Sequence, residues 1–131
     1  MLLRIELENF FSIKNRICLD FIAAKSNSAL ARDLAYNVID WNGTKVLKSI
    51  GLFGPNASGK SNILKAVTFC CSMILGSHLH NEGEIFNFMP FKFDGYDKKP
   101  SEFLIDFVCE GIEYEYSFAL TRNEVMREAL Y

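Results

Sequence analysis

No apolar run in this 131-residue chain is long enough to cross a bilayer. Its start, Met1-Leu2-Leu3-Arg4-Ile5-Glu6, interrupts hydrophobicity with charge every few residues, unlike the unbroken core of a signal peptide. No membrane partner is expected, and cytoplasmic residence is the expectation. Neither charge dominates, with 14 Lys and Arg against 16 Asp and Glu and a net charge of −2. Nucleic acid is therefore not indicated by overall charge and stays open only through a local basic patch. Cysteine is scarce. Cys18, Cys70, Cys71 and Cys109 form no C-x-x-C pair, so reduced thiols packed as small hydrophobes are expected. His78 and His80 have no Cys or carboxylate at metal-ligand spacing, which argues against a zinc site. Repeats and low-complexity tracts are lacking too.

What is present suffices for one domain, with half the residues apolar and 12 phenylalanines for a core. Residues 3–8 alternate apolar and polar as a half-buried strand should, and residues 17–21 read as its partner. Residues 23–35 are polar and alanine-rich, either a surface loop or one short helix. Residues 38–47 carry a hairpin signal centred on Asn42-Gly43, which supplies the two positive-φ positions of a tight type I′ turn. Asp40 to Gly43 also fits the D-x-x-G metal-sensing switch of GTPases, but there it follows the phosphate loop and here it precedes it. Residues 49–53 suggest a strand, and from Lys60 to about Leu75 the pattern turns helical. Apolar residues surround that helix, predicting burial on several sides between layers of an α/β domain. Residues 76–101 are irregular. Residues 102–109 and 112–120 predict an antiparallel pair about Glu110-Gly111, and residues 123–131 a third strand.

Between predicted strand and helix lies Gly54-Pro55-Asn56-Ala57-Ser58-Gly59-Lys60-Ser61, which fits G-x-x-x-x-G-K-[ST]. Chance produces this pattern roughly a few times per thousand chains of this size. Each fixed position has a chemical reason. Gly54 and Gly59 permit backbone angles and close approaches that a side chain forbids. The main-chain N–H groups around them form an anion nest at a helix N-terminus, where the macrodipole adds about half a positive charge. Lys60 is expected to reach the β- and γ-phosphates, as the catalytic cation. Ser61 is expected to bind Mg²⁺ bridging the same phosphates of ATP. Residues 54–62, ending at Asn62, are the expected nucleotide contacts. A plain turn with Ser58 or Ser61 capping the helix would need one hydroxyl, not two glycines and a lysine at fixed offsets.

"GPNASGKSN" followed by "ILKAV", with "LLRIELENFFSIKN" before it, resembles the AAA-family ATP-binding proteins of the ABC-like branch. That branch holds structural-maintenance-of-chromosomes heads, the RecF recombination protein and the overcoming-lysogenization-defect nucleases. Ser12 after an aromatic pair and "PFKFD…KPSEFLIDF…GIEYEYSFAL" extend the resemblance over nearly the whole chain. It implies an α/β P-loop NTPase head, with mixed or antiparallel sheet around one phosphate-loop helix and ATP sandwiched between two subunits. A nuclease or other effector often accompanies such heads, in phage defence or DNA repair. Relatives carry Arg after the "NF" of the first strand pair, where this chain has Phe11 and its nearest cations are Lys14 and Arg16.

Parts of such a head are missing. The nearest approach to a Walker B strand is Phe103-Leu104-Ile105-Asp106, but Phe107 stands where the water-polarising Glu belongs, so Asp106 reads as an ordinary strand residue. No signature Ser-Gly-Gly occurs, and the histidines come too early for a switch. Residues 1–131 thus read as the N-terminal portion of an ABC-like ATPase domain, with apolar surface exposed where the remainder would pack. Hydrolysis is expected of the full-length protein and not of this portion. A small P-loop kinase and a P-loop interaction module without catalysis are the alternatives.

Overall fold

The computed structural model describes residues 1–26, 28–76 and 85–131. Among the described residues, seven strands and two α-helices run in the order β1 (Leu2–Glu8), β2 (Ile17–Asp20), α1 (Ala29–Asp33), β3 (Val38–Trp41), β4 (Thr44–Leu47), α2 (Lys60–Gly76), β5 (Ser101–Cys109), β6 (Ile112–Leu120) and β7 (Val125–Leu130). Five strands form one sheet in the order β2-β1-β5-β6-β7. All four pairings are antiparallel, so the sheet around the helix is antiparallel and not mixed.

The period-2 pattern decides which face is buried. Ile5 and Leu7 of β1, Phe103 and Ile105 of β5, and Tyr116 and Phe118 of β6 join one core with Ala66, Cys70 and Met73 of α2. Phe69 of α2 binds the layers together, its ring 5.5 Å from Phe103 and 6.3 Å from Phe118.

The opposite face of the sheet carries an ionic ladder. Arg4 reaches Asp106 at 2.7 Å and Glu6 at 3.4 Å. Arg16 reaches Glu102 at 2.7 Å, Glu8 at 3.4 Å and Glu6 at 3.6 Å. Arg4–Asp106 is a directly opposed β1–β5 pair that supports this register from the face opposite the core, and Arg16, just before β2, links Glu6 and Glu8 of β1 to Glu102 of β5.

Asn42 (φ 48°) and Gly43 (φ 81°) make the expected tight turn between β3 and β4, and Asp40 accepts the Gly43 N–H at 3.0 Å. Asp40 is thus a turn residue. The hairpin joins the segment after β2 through an Ile22–Val46 bridge and hydrogen bonds of 2.8 Å (Ala23 to Lys45) and 2.7 Å (Leu47 to Phe21). Its Val46 forms a second small core with Leu3 and Val108. The ambiguous 23–35 stretch includes the short helix α1.

Three expectations need correction. Residues 49–53 form no strand: the run ends in a Phe53 that is 96% exposed, and no neighbouring strand among the described residues offers it a ladder. Apolar sequence alone cannot make a strand without a partner for its backbone groups. Second, α2 is buried on one side only. Leu64 and Leu75 are 62% and 77% exposed and Cys71 is also exposed, which matches the uncovered apolar surface expected. Third, the four thiols are free, but only Cys70 is packed away. Burial pushes the Cys70 thiol from an ordinary 9.0 up to about 12.

Among the described residues, no helix is long and apolar enough to cross a membrane.

Candidate functional site

The 54–61 loop runs directly into α2, which begins at Lys60. Ala57 (φ 63°) and Gly59 (φ 96°) take left-handed conformations that curl the chain. The Ser58 N–H closes the turn on the Pro55 carbonyl at 3.3 Å. The Gly59 carbonyl accepts the N–H groups of Asn62 and Ile63 at 2.9 and 3.1 Å, starting the helix. Among the described residues, the N–H groups of Gly59, Lys60 and Ser61 have no backbone acceptor. They are donors at the positive end of a 17-residue helix, the arrangement that receives an anion.

Gly59 answers to its left-handed backbone, and both fixed glycines leave room for a neighbouring serine hydroxyl. A Cβ on Gly54 would lie 2.8 Å from the Ser58 hydroxyl, and one on Gly59 would lie 3.1 Å from the Ser12 hydroxyl. The Lys60 ammonium arches back over the loop and donates to the carbonyls of Gly54 and Pro55, each at 2.7 Å. Its charge therefore sits above the same turn whose N–H groups are free. Pro55, Asn56, Ala57 and Ser58 are exposed along the loop, and Ser61 is exposed in the first helical turn. Asn62 turns toward the N-terminal part of the chain, its amide donating to the Ser12 hydroxyl at 2.8 Å. Residues 54–62 thus form one continuous surface, with Ser12 as an added support.

These donors fit a phosphate chain, and the Ser61 hydroxyl could join Mg²⁺ to it. Among the described residues no group of three His, Cys, Asp or Glu is placed to hold a metal. His78 and His80 lie outside the described residues. Asp106 is a strand residue, as expected. It sits inside β5, antiparallel to both neighbours, and its carboxylate accepts from the Arg4 guanidinium at 2.7 Å.

The cations near Phe11 in sequence are committed elsewhere. Lys14 pairs with Asp94 at 2.6 Å, and Arg16 belongs to the ionic ladder. The cation beside Phe11 comes from α2, where the Lys65 ammonium lies 4.8 Å from the ring centroid. A sequence signal existed: Lys65 follows Ser61 by four residues and so shares its helix face.

Asn9 is a second residue that sequence reasoning missed. It is 1% exposed and left-handed (φ 58°). Its amide donates to the carbonyls of Tyr96, Lys99 and Pro100 at 2.8, 2.9 and 3.1 Å, and its side-chain oxygen accepts the Phe91 N–H at 2.8 Å. Its own carbonyl accepts from the Ser101 hydroxyl. This knot ties the 91–101 segment to the turn that bears Ser12.

A loop with a left-handed glycine opening a helix, with a lysine folded over it, is the arrangement of a phosphate-binding loop. Residues 49–131 match the family model described as "AAA domain, putative AbiEii toxin, Type IV TA system", and the chain belongs to that family. No curated protein matches the chain.

Proposed function

We propose that this chain is the nucleotide-binding part of a cytoplasmic, ATP-driven switch of the ABC-like branch. In this reading the free N–H groups at the head of α2 and the Lys60 ammonium hold the β- and γ-phosphates of ATP. Ser61 holds Mg²⁺ against the same oxygens. Two copies of the full-length protein close on the nucleotides, and hydrolysis follows when the second copy completes the site. The settings we favour are phage defence or DNA repair, with a nuclease or other effector as the output partner. The family's description as a toxin of a toxin–antitoxin system agrees with a defensive role.

The observation that carries the reading is the Lys60 ammonium held 2.7 Å from the Gly54 and Pro55 carbonyls, over a turn with three free N–H donors. Catalysis of phosphoryl transfer is mostly positioning and charge, so the cradle is the part a switch must have first. Calorimetric titration of Lys60→Ala with Mg-ATP tests it. A charged hydrogen bond contributes about 1.5–3 kcal/mol, so affinity should fall roughly ten- to a hundredfold. Unchanged affinity would overturn the assignment.

A further inference from the structure

A cleft of about 280 Å³ lies between the 97–101 segment and the turn that follows β6, and it shares no residue with the 54–62 surface. It falls just below the size range of pockets for drug-sized molecules, so its occupant must be small. Its floor is apolar and reaches the core: Phe88 is 2% exposed, Leu120 is wholly buried, and Pro90 extends the lining. Two opposite charges line the same cleft, Asp97 from the first segment and Arg122 from the second. They form no ion pair with each other, and among the described residues neither has an ion-pair partner elsewhere. Lys99 also lines the cleft, but its ammonium is committed to the Tyr96 ring, 4.2 Å from the centroid.

Backbone bonds hold both walls. The Phe86 N–H donates to the Arg122 carbonyl at 2.8 Å, and the Thr121 N–H donates to the Glu124 carbonyl at 2.9 Å, closing the turn. Across the cleft, the Lys99 N–H donates to the Tyr96 carbonyl at 3.1 Å. The Asn9 amide fixes the Lys99 and Pro100 carbonyls at 2.9 and 3.1 Å. The spacing of the two charged residues' backbones is therefore set by the fold.

We propose that this cleft binds a free α-amino acid with an apolar side chain. Such a ligand carries one anionic and one cationic group on neighbouring atoms of a short backbone, and an apolar arm beside them. The Arg122 guanidinium takes the carboxylate, a pairing its planar fork can make through two parallel N–H···O bonds. The Asn123 amide, which also lines the cleft, is a further donor for the same group. Asp97 takes the ammonium, and the side chain lies on Phe88 and Leu120. A peptide terminus offers only one of the two charges, and an inorganic anion leaves Asp97 and the apolar floor unused. The site stands apart from the phosphate loop, so its failure and the failure of the phosphate-site reading are separate results.

The test titrates the full chain with three probes followed by NMR: leucine, N-acetyl-leucine, which lacks the ammonium, and leucinamide, which lacks the carboxylate. Leucine should saturate, with each analogue about tenfold weaker, the loss of one charged hydrogen-bonded group. Arg122→Gln should weaken leucine about tenfold and leave leucinamide unchanged, while Asp97→Asn should weaken leucine about tenfold and leave N-acetyl-leucine unchanged. Both side chains are exposed, and the probe each variant spares is its own check that the chain is folded. If leucine does not saturate, or if either variant leaves leucine binding as it was, the proposal is overturned. Equal weakening of all three probes by a variant overturns it as well.

Discussion

The Asn62 amide donates to the Ser12 hydroxyl at 2.8 Å across fifty positions of sequence, and that bond lies directly against Gly59. It couples the turn after β1 to the first turn of α2. Ser12→Ala removes an acceptor contributing about 1 kcal/mol, so nucleotide affinity should weaken roughly fivefold while the fold survives. Gly59→Ala should do far more, since a Cβ would meet the Ser12 hydroxyl at 3.1 Å on a backbone at φ 96°. Titration with Mg-ATP ranks the two, and an equal effect would contradict this account.

Asp106 separates a structural carboxylate from a metal-binding one. Asp106→Ala should cost about 1–2 kcal/mol in urea unfolding, toward the low end for a charged hydrogen bond because the Arg4 side chain is 37% exposed. Mg-ATP affinity should stay within twofold of the original. A large loss of Mg²⁺-dependent binding with stability intact would show that Asp106 serves the nucleotide.

Asn9→Ala should be the most destabilising polar substitution. It leaves the Lys99 and Pro100 carbonyls and the Phe91 N–H without their Asn9 partner in a site 1% exposed, while the Tyr96 carbonyl keeps the Lys99 N–H. The expected cost is about 2–4 kcal/mol, read from chemical denaturation, with faster proteolysis in the 91–101 segment. A loss below 0.5 kcal/mol, on the order of a surface change, would count against the knot.

Cys70 gives a pH signature. Its thiol is neutral in the folded protein up to about pH 12, whereas the unfolded chain releases the proton from 9.0 upward. The unfolded state therefore binds fewer protons in that window, and stability falls as pH rises through it. The contribution is complete below 9.0. Above it the slope approaches about 1.4 kcal/mol per pH unit. Urea midpoints between pH 8 and 11 should fall less steeply in Cys70→Ala than in the parent, and parallel curves would remove the effect. Iodoacetamide at pH 8 should label Cys71, which is exposed, well before Cys70.

Much of this was legible in residues whose message is local. Asn42-Gly43 and Glu110-Gly111 each place two left-handed residues at a hairpin tip between paired strands. The 54–61 loop was legible because its fixed residues stand at set offsets, although the side chain that crowds Gly59 is the distant Ser12. Residues 49–53 were misread because a strand depends on a neighbour that its own sequence does not contain. The one-sided burial of α2 escaped for the same reason, since Leu64 and Leu75 look like core until one asks what covers them. Asn9 carries no local signal at all: its partners lie 82–91 residues away.

The ionic ladder sets two guanidiniums, Arg4 and Arg16, against four carboxylates, Glu6, Glu8, Glu102 and Asp106. This stretch of the sheet's outer face therefore carries surplus negative charge even with every pair formed. A polyphosphate backbone approaching it gains no counterion release and meets repulsion within the screening distance of about 8 Å at physiological salt. The ladder thus does more than fix strand register. It turns this face into a fence, which leaves the side where Lys60 stands as the approach for a polyanion.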